Sequence, residues 1–433
     1  MVYDEIERAS REELADLQSD RLAWTVKRAY EDVPFYRDAL DDADVTPDDI
    51  EGVADVDRLP FTTKEDFRDQ YPDGLFAVPR AEVVRVHASS GTTGTPKIVA
   101  YTDADLATWR EVMARSLHAA GVRPEDTLQN AYGYGLFTGG LGFHDGGEEL
   151  GTTVIPIGGG NTDRQVDFLT DLGSDVLACT PSYSLYLAEA IEARGVDPTD
   201  LDLSVVTIGA EPFTDPMRAE IEAALDVTAI DVYGLSEIIG PGVSIECADA
   251  QDGLHLWEDH FLPEVVDPET GDVLDEGDEG ELVLTTLTKE ALPVLRYRTG
   301  DITSLNYDEC DCGRTCVRMG NVTGRADDLL IVRGANVYPS QIEAVVLESD
   351  AVAPHYRIDL RREEALDTMD LTVECHDEFD GDTEELRERL RDRIESVLAV
   401  SPDSIDLVSP ETIERTTAGK VKRVYDHRDD REN

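Results

Sequence analysis

Lysine is nearly missing from this chain. It occurs only at positions 27, 64, 97, 289, 420 and 422 of 433, and arginine carries most of the positive charge. A surface that avoids lysine leaves the survivors enriched for places where an ammonium has a specific task. Lys97 and Lys420 each follow a glycine-containing turn. Positive charge is scarce altogether: 38 Lys and Arg stand against 94 Asp and Glu, a net charge of -56. Such a negative field repels nucleic acid and anionic membrane, which excludes both as main partners. The acidic excess is spread along the chain and hydrophobics still make up 41%. The composition is therefore that of a folded protein whose surface stays hydrated in concentrated salt, as in a halophile cytoplasm, and not of a disordered acidic chain. No apolar run is long enough to span a bilayer. The charged start "MVYDEIERASREEL" has no signal-peptide core, so a cytoplasmic protein is expected. Six cysteines in this length are too few for a disulfide scaffold, and their clustering points to a metal.

The chain is long enough for two or three domains. "REELADLQSDRLAWTVKRAYEDV" has helical spacing of its apolar residues. "TDADLATWREVMARSLHAAG" predicts a helix with a capping box from Thr102 to Asp105 and a stop at Gly121. Strands ("GTTVIPIG", "DVLACT", "LSVVTIGAE", "TAIDVYG") then alternate with helices ("TDRQVDFLTDLG", "PSYSLYLAEAIEARG", "TDPMRAEIEAAL"). That alternation predicts a largely parallel α/β sheet with ligand sites at the strand C-termini. From about residue 253 the pattern turns β-rich, and after a crossing near Gly324–Asp327 the remainder reads as a small α+β domain.

The stretch "RVHASSGTTGTPKIVAYT" joins strand to strand through Ser89, Ser90, Gly91, Thr92, Thr93, Gly94 and on to Lys97. Glycines that turn N–H groups inward, hydroxyls and a cation together suit phosphate oxygens. It is not a Walker A loop, because the glycines are too close and Ile98 follows the lysine. Three further strand ends suit a nucleotide. In "TIGAEPF", Gly209–Ala210 lets a planar group approach the backbone. In "DVYGLSEIIGPG", Tyr233 offers a ring for a base and Glu237 a carboxylate for a cation. In "LRYRTGD", Asp301 is placed to accept both hydroxyl hydrogens of a ribose.

In this order the segments resemble the adenylate-forming (AMP-binding) enzymes, and within them the phenylacetate–coenzyme A ligase family. The resemblance runs from "VPFYRDAL" through "HASSGTTGTPKIVAYT", "AYGYGLFTGGLGFHDGGEELG", "GAEP", "DVYGLSEIIGPGVSIEC", "LPVLRYRTGD" and "GRADDLLIVRGANVYPSQIE" to "ERTTAGKVKRV". It implies an α/β adenylate-forming fold: a large N-terminal domain over 1–325, with a β-rich subdomain about 245–323, and a small mobile C-terminal α+β domain over 326–433. It also implies ATP, Mg²⁺ and coenzyme A as reaction partners, and two half-reactions, formation of an acyl-adenylate and its transfer to coenzyme A. Lys420, Lys97 and Glu237 would be catalytic, with Glu237 on Mg²⁺. Gly209, Ala210, Glu211, Pro212, Asp231, Tyr233 and Gly234 would embrace adenine, and Asp301 with Arg325 the ribose. Tyr132, Phe137, Ala210, Gly240 and Pro241 would line an aryl-acid pocket. Asp327 would be the pivot of a domain rotation that brings Arg333 and Gly334 to the thioester site. Family members are often dimers, so a homodimer is implied.

Cys310-x-Cys312 with upstream Cys247 and His255 has the make-up of a Cys₃His structural zinc site, with Cys316 the rival fourth ligand. Cys179 and Cys375 read as small buried residues. Two alternatives to the ligase reading are an adenylyltransferase acting on a deazaflavin, like the coenzyme F390 synthetases, and a non-catalytic nucleotide sensor. The retention of both Lys97 and Lys420 speaks against the sensor.

Overall fold

The structure, a computed structural model, describes residues 2–89, 95–211, 214–326, 330–333, 335–349, 351–363, 366–377, 379, 381–398, 400–415 and 421–428. Of the expected site residues, Ser90, Gly91, Thr92, Thr93, Gly94, Pro212, Asp327, Gly334 and Lys420 lie outside the described residues.

Local signals act as the sequence predicts. Thr102 caps the helix Asp103–Ala119, its hydroxyl accepting from the Asp105 N–H while the Asp105 carboxylate accepts from the Thr102 N–H. Beyond Ala120, Gly121 sits at φ 92°, where the left-handed backbone ends the helix. The strands Arg85–Ser89 and Lys97–Tyr101 pair as an antiparallel hairpin, with Ser89 opposite Lys97.

The central sheet has nine strands. Its order is Leu305–Asn306, Arg318–Met319, Leu254–Leu256, Gly240–Glu246, Thr228–Leu235, Val205–Gly209, Val176–Cys179, Thr127–Asn130, Thr153–Ile155. The last five run parallel; the first four are antiparallel. The expectation of a largely parallel sheet therefore holds for one half only. A parallel partner needs a crossover helix, and no helix lies between Thr228–Leu235 and Leu305–Asn306. The β-rich stretch is shared between two sheets. Its strands Phe261–Val266, Gly280–Thr286 and Tyr297–Thr303 form an antiparallel sheet with Gly324–Arg325, while its others extend the central one.

The sequence reading placed Tyr132 and Phe137 in a pocket lining and gave the glycine-rich run that follows no element. The structure places a helix there, Thr138–Leu150. Each glycine costs about 1 kcal/mol against alanine in a helix, so packing must hold it. The position of a Cβ on Gly146 is 2.3 Å from Cβ of Met113 on the helix Asp103–Ala119. Only a residue without a side chain lets these two helices come so close.

Residues 330–424 have a core of their own. Ile342, Val345, Leu386, Leu390 and Ile394, from the helices Pro339–Val346 and Thr383–Leu398, pack on Ile358, Leu360, Leu371 and Val373. These last come from the sheet ordered Ser404–Val408, Leu366–Cys375, Val352–Glu363, Val424–Asp426.

Candidate active site

Glu237 follows the strand Thr228–Leu235, and Asp301 lies in the strand Tyr297–Thr303. Two tyrosines lace these carboxylates together crosswise. Tyr233, just before Glu237, donates its hydroxyl to Oδ2 of Asp301 at 2.6 Å. Tyr297, four residues before Asp301 and so on the same strand face, donates to Oε1 of Glu237 at 3.1 Å. Arg325 pairs with Oδ1 of Asp301 and donates to the Thr299 carbonyl at 3.1 Å. The Tyr233 ring is half-buried.

Lys97 pairs directly with Oε1 of Glu237, a contact that the sequence reading did not foresee. Burial alone would raise the Glu237 carboxyl; the Lys97 ammonium outweighs it and holds the group below its ordinary value. The site thus holds a carboxylate and an ammonium side by side. Ser89, across the hairpin from Lys97, has a buried hydroxyl without a hydrogen-bond partner among the described residues.

Sequence reasoning counted Lys289 among the rare lysines and gave it no role. It is 4% exposed, and its ammonium donates to the carbonyls of Ile238 at 2.6 Å and Glu237 at 3.2 Å, 5.0 Å from the ring centre of Tyr101. Burial pushes its pKa down to about 8, against the pull of Asp105 and Glu237. Its scarcity was the signal that could have found it.

The nucleotide-side loop differs from expectation in one respect. Gly209 was read as leaving room for a planar ligand, yet its Cβ position lies 2.2 Å from the Val232 carbonyl oxygen on the adjacent strand. Its missing side chain serves close strand packing. Ala210 follows at φ 71°. Asp231, opposite Ile208 on the next strand, has its carboxyl pushed up to about 8 by burial and then Glu246. The Glu211 carboxylate accepts from the Ser182 hydroxyl at 2.7 Å and the Val421 N–H at 2.6 Å.

Around the expected acyl pocket, Tyr132 is 4% exposed, stacks on Phe143 with ring centres 5.0 Å apart, and donates to the Cys179 carbonyl at 2.5 Å. Its hydroxyl is thus committed to the strand ends, leaving only ring surface for a substrate. Phe137 is 37% exposed at the start of the glycine-rich helix. Gly240 and Pro241 pack on Trp109, whose indole N–H donates to the Pro241 carbonyl at 2.9 Å. Arg333, expected on the coenzyme A side, sits at φ 51° and binds the Ser401 carbonyl and Asp403.

The ligand atoms of Cys247, His255, Cys310 and Cys312 all lie within 4.8 Å of one another. Zinc bonds of about 2.3 Å to sulfur and about 2.05 Å to nitrogen give tetrahedral S–S and S–N edges of about 3.8 Å and about 3.6 Å. Cys247 Sγ to Cys310 Sγ is 3.9 Å, and Cys312 Sγ to His255 Nε2 is 3.4 Å. The donor set therefore fits zinc. Cys316 Sγ lies 3.5 Å from Nδ1, the other ring nitrogen of His255, which makes it a partner of the histidine and not the fourth corner. The loop bearing these cysteines holds the N-terminal segment, with Arg314 Nε on Glu7 Oε2 at 2.7 Å in a buried pair.

Known proteins agree with this geometry. Residues 15–287 match the AMP-binding enzyme family model, and residues 334–428 match the AMP-binding enzyme C-terminal domain. A phenylacetate-coenzyme A ligase of Thermus thermophilus is 52% identical over 99% of this chain and 100% of its own length. One of Escherichia coli (strain K12) is 49% identical over 98% of this chain and 97% of its own. A 2-hydroxyisobutyryl-CoA ligase in its postadenylation state, 29% identical, superposes with a TM-score of 0.91 over 98% of this chain and 91% of the other. The same kind of ligase in the thioesterification state, 30% identical with 98% and 92% covered, reaches 0.73. Coverage is alike in the two comparisons, so the gap lies in how the parts are arranged, and this chain superposes better on the arrangement of the postadenylation structure. Identity of this order from end to end, on a framework that already gathers these side chains, makes the chain a member of the AMP-binding enzymes, in the phenylacetate–coenzyme A ligase family.

Proposed function

We propose that the chain converts phenylacetate, ATP and coenzyme A into phenylacetyl-CoA, AMP and pyrophosphate by way of phenylacetyl-adenylate. A carboxylate oxygen attacks the α-phosphorus while its bond to the β-phosphate oxygen breaks and pyrophosphate leaves. The coenzyme A thiolate then attacks the acyl carbon, and the bond to the AMP oxygen breaks. The first step brings two anions together, so fixed positive charge and oriented donors must offset their repulsion. The observation that carries this reading is the crossed pair of tyrosine bonds, which presents a Lys97-paired Glu237 and an Arg325-paired Asp301 together.

Asp301 takes the ribose hydroxyls and Tyr233 faces adenine. Lys97 serves the departing pyrophosphate, Lys420 the α-phosphate. Glu237 is the residue to hold Mg²⁺, which supplies positive charge to the phosphates when bound. Phe137, Ala210 and the ring surface of Tyr132 bound a flat acid. The small domain starts at residue 326 and pivots at Asp327, carrying Arg333 toward coenzyme A. Cys247, His255, Cys310 and Cys312 hold a structural zinc, which crosslinks the loop that anchors Glu7. No helix among the described residues is long and apolar enough to cross a membrane; with the acidic surface this favours a cytoplasmic enzyme, and a homodimer remains an expectation of the family.

The test is a product assay in multimolar KCl with ATP, Mg²⁺, coenzyme A and a panel of aryl and aliphatic acids, read by mass spectrometry. Phenylacetyl-CoA and AMP, formed only with coenzyme A present, are expected. Adenylylation of a deazaflavin without any thioester would replace the reading. So would acyl-adenylate formation undiminished in Lys420→Ala, for the catalytic assignment.

A further inference from the structure

Residues 415 and 421 flank the segment that ends in Lys420, and both are tied by carboxylates to the large domain. Arg415 forms a two-pronged pair with Glu189, Nη2 to Oε1 at 3.0 Å and Nε to Oε2 at 3.3 Å. Its other edge meets Glu374, within the small domain, at 2.9 and 3.0 Å. His355 Nε2 adds a contact to Oε1 of Glu189 at 3.0 Å. At the far end the Val421 N–H donates to Oε1 of Glu211 at 2.6 Å, while Oε2 of Glu211 is braced by Ser182. Ser182 and Glu189 stand seven residues apart on the helix Pro181–Ala193. Two turns put them on one face, about 10 Å apart along the axis. One helix therefore supports both ends of the clasp.

We propose that Glu211 and Glu189 are positioning residues for the adenylation half-reaction, which seat the Lys420 segment on the large domain at its two ends. The proposal rests on the reading of Lys420 as the residue that serves the α-phosphate. It gives Glu211 a different task from embracing adenine, because both of its carboxylate oxygens are already engaged. A carboxylate bound to a main-chain N–H is a charge-assisted contact, and it grips the chain whatever side chain residue 421 carries. Lys420 immediately precedes Val421 in the sequence, so a clamp at this N–H acts on the chain next to the lysine. Both contacts cross between the two parts of the chain whose arrangement separates the relatives at TM-scores of 0.91 and 0.73. They belong to the adenylation arrangement and must break for the other, so their loss falls on one half-reaction.

The experiment compares Glu211→Ala, Glu211→Gln and Glu189→Ala with the unaltered enzyme in two assays. One is phenylacetate-dependent exchange of pyrophosphate into ATP. The other is thioester formation from supplied phenylacetyl-adenylate and coenzyme A, which also shows that each variant is folded. In the exchange assay kcat falls about 10- to 100-fold in Glu211→Ala, the range of a hydrogen bond to a charged group, with KM for ATP within about threefold. Glu211→Gln recovers most of it, since the amide oxygen accepts the same N–H. Glu189→Ala falls less, as Arg415 keeps Glu374. Thioester formation stays within about twofold in all three. Equal losses in both half-reactions, or a rise in KM for ATP that carries the whole effect, would overturn the proposal in favour of a nucleotide contact or a general structural role. No change in either assay would overturn it too. Lys420→Ala run in parallel separates the two levels: if it leaves exchange intact, the reading of Lys420 fails, whatever the glutamates do.

Discussion

Tyr233 and Asp301, 68 residues apart in the chain, meet through a phenol–carboxylate bond of 2.6 Å. The bond ties the strand that leads to Glu237 to the strand that carries Asp301 and holds the two side chains together. Tyr233→Phe removes this bond and leaves Arg325 to orient Asp301. A loss of about 1.5 kcal/mol, about tenfold, is expected in the KM for ATP of pyrophosphate exchange, with kcat little changed. A fall in kcat at constant KM would place Tyr233 elsewhere in the mechanism.

Lys289→Met leaves the carbonyls of Glu237 and Ile238 without their buried donor. A kcat loss of about tenfold in adenylation and a stability loss of about 1 to 3 kcal/mol are expected. The pH dependence has a definite sign. The folded-state pKa of Lys289 is about 8, below the ordinary lysine value of about 10.4. Between these values the unfolded chain binds more protons at this residue, so its contribution to stability improves as pH rises. Denaturation free energies of the unaltered enzyme relative to Lys289→Met should rise from about pH 8 to about 10.4 and be flat below.

One zinc per chain is expected by elemental analysis, lost in Cys310→Ser or on chelation, with a lower melting temperature as the Glu7–Arg314 anchor loosens. Cys316→Ala should still bind zinc, about 10- to 100-fold more weakly, the usual effect of losing a histidine's second partner. Loss of all zinc in Cys316→Ala would make it a ligand.

Gly146→Ala sets two effects against each other. Alanine gains about 1 kcal/mol in helix propensity, yet its methyl would sit 2.3 Å from Met113 Cβ, and overpacking costs about 1 to 3 kcal/mol. The helices must separate, so net destabilisation is expected in denaturant melts despite the better helix former.

A net charge of -56 makes stability depend on salt. At about 1 M salt the Debye length is about 3 Å, and self-repulsion is screened. The melting temperature should climb steeply as KCl goes from 0.1 M into the multimolar range, where a protein of balanced charge would show a shallow slope.

Much of this protein was legible from the chain alone, because its signals are local or ordered. The Thr102–Asp105 capping box, the stop at Gly121, the hairpin around Lys97 and the alternation of strands and helices act between near neighbours. The motifs "HASSGTTG", "GAEP" and "YRTGD" name a nucleotide site through their order, and the four zinc-type ligands stood out by residue type. The glycine-rich helix Thr138–Leu150 escaped because its stability comes from a neighbouring helix and its own propensity argues against it. Only the tertiary structure decided that Lys97 meets Glu237, that Lys289 holds the main chain beneath it, that Cys316 backs His255 and leaves the corner to Cys312, and that Glu211 grips a residue 210 positions away. Charge and hydrogen-bond partners are chosen by which strand ends the sheet brings together, and no local pattern carries that choice.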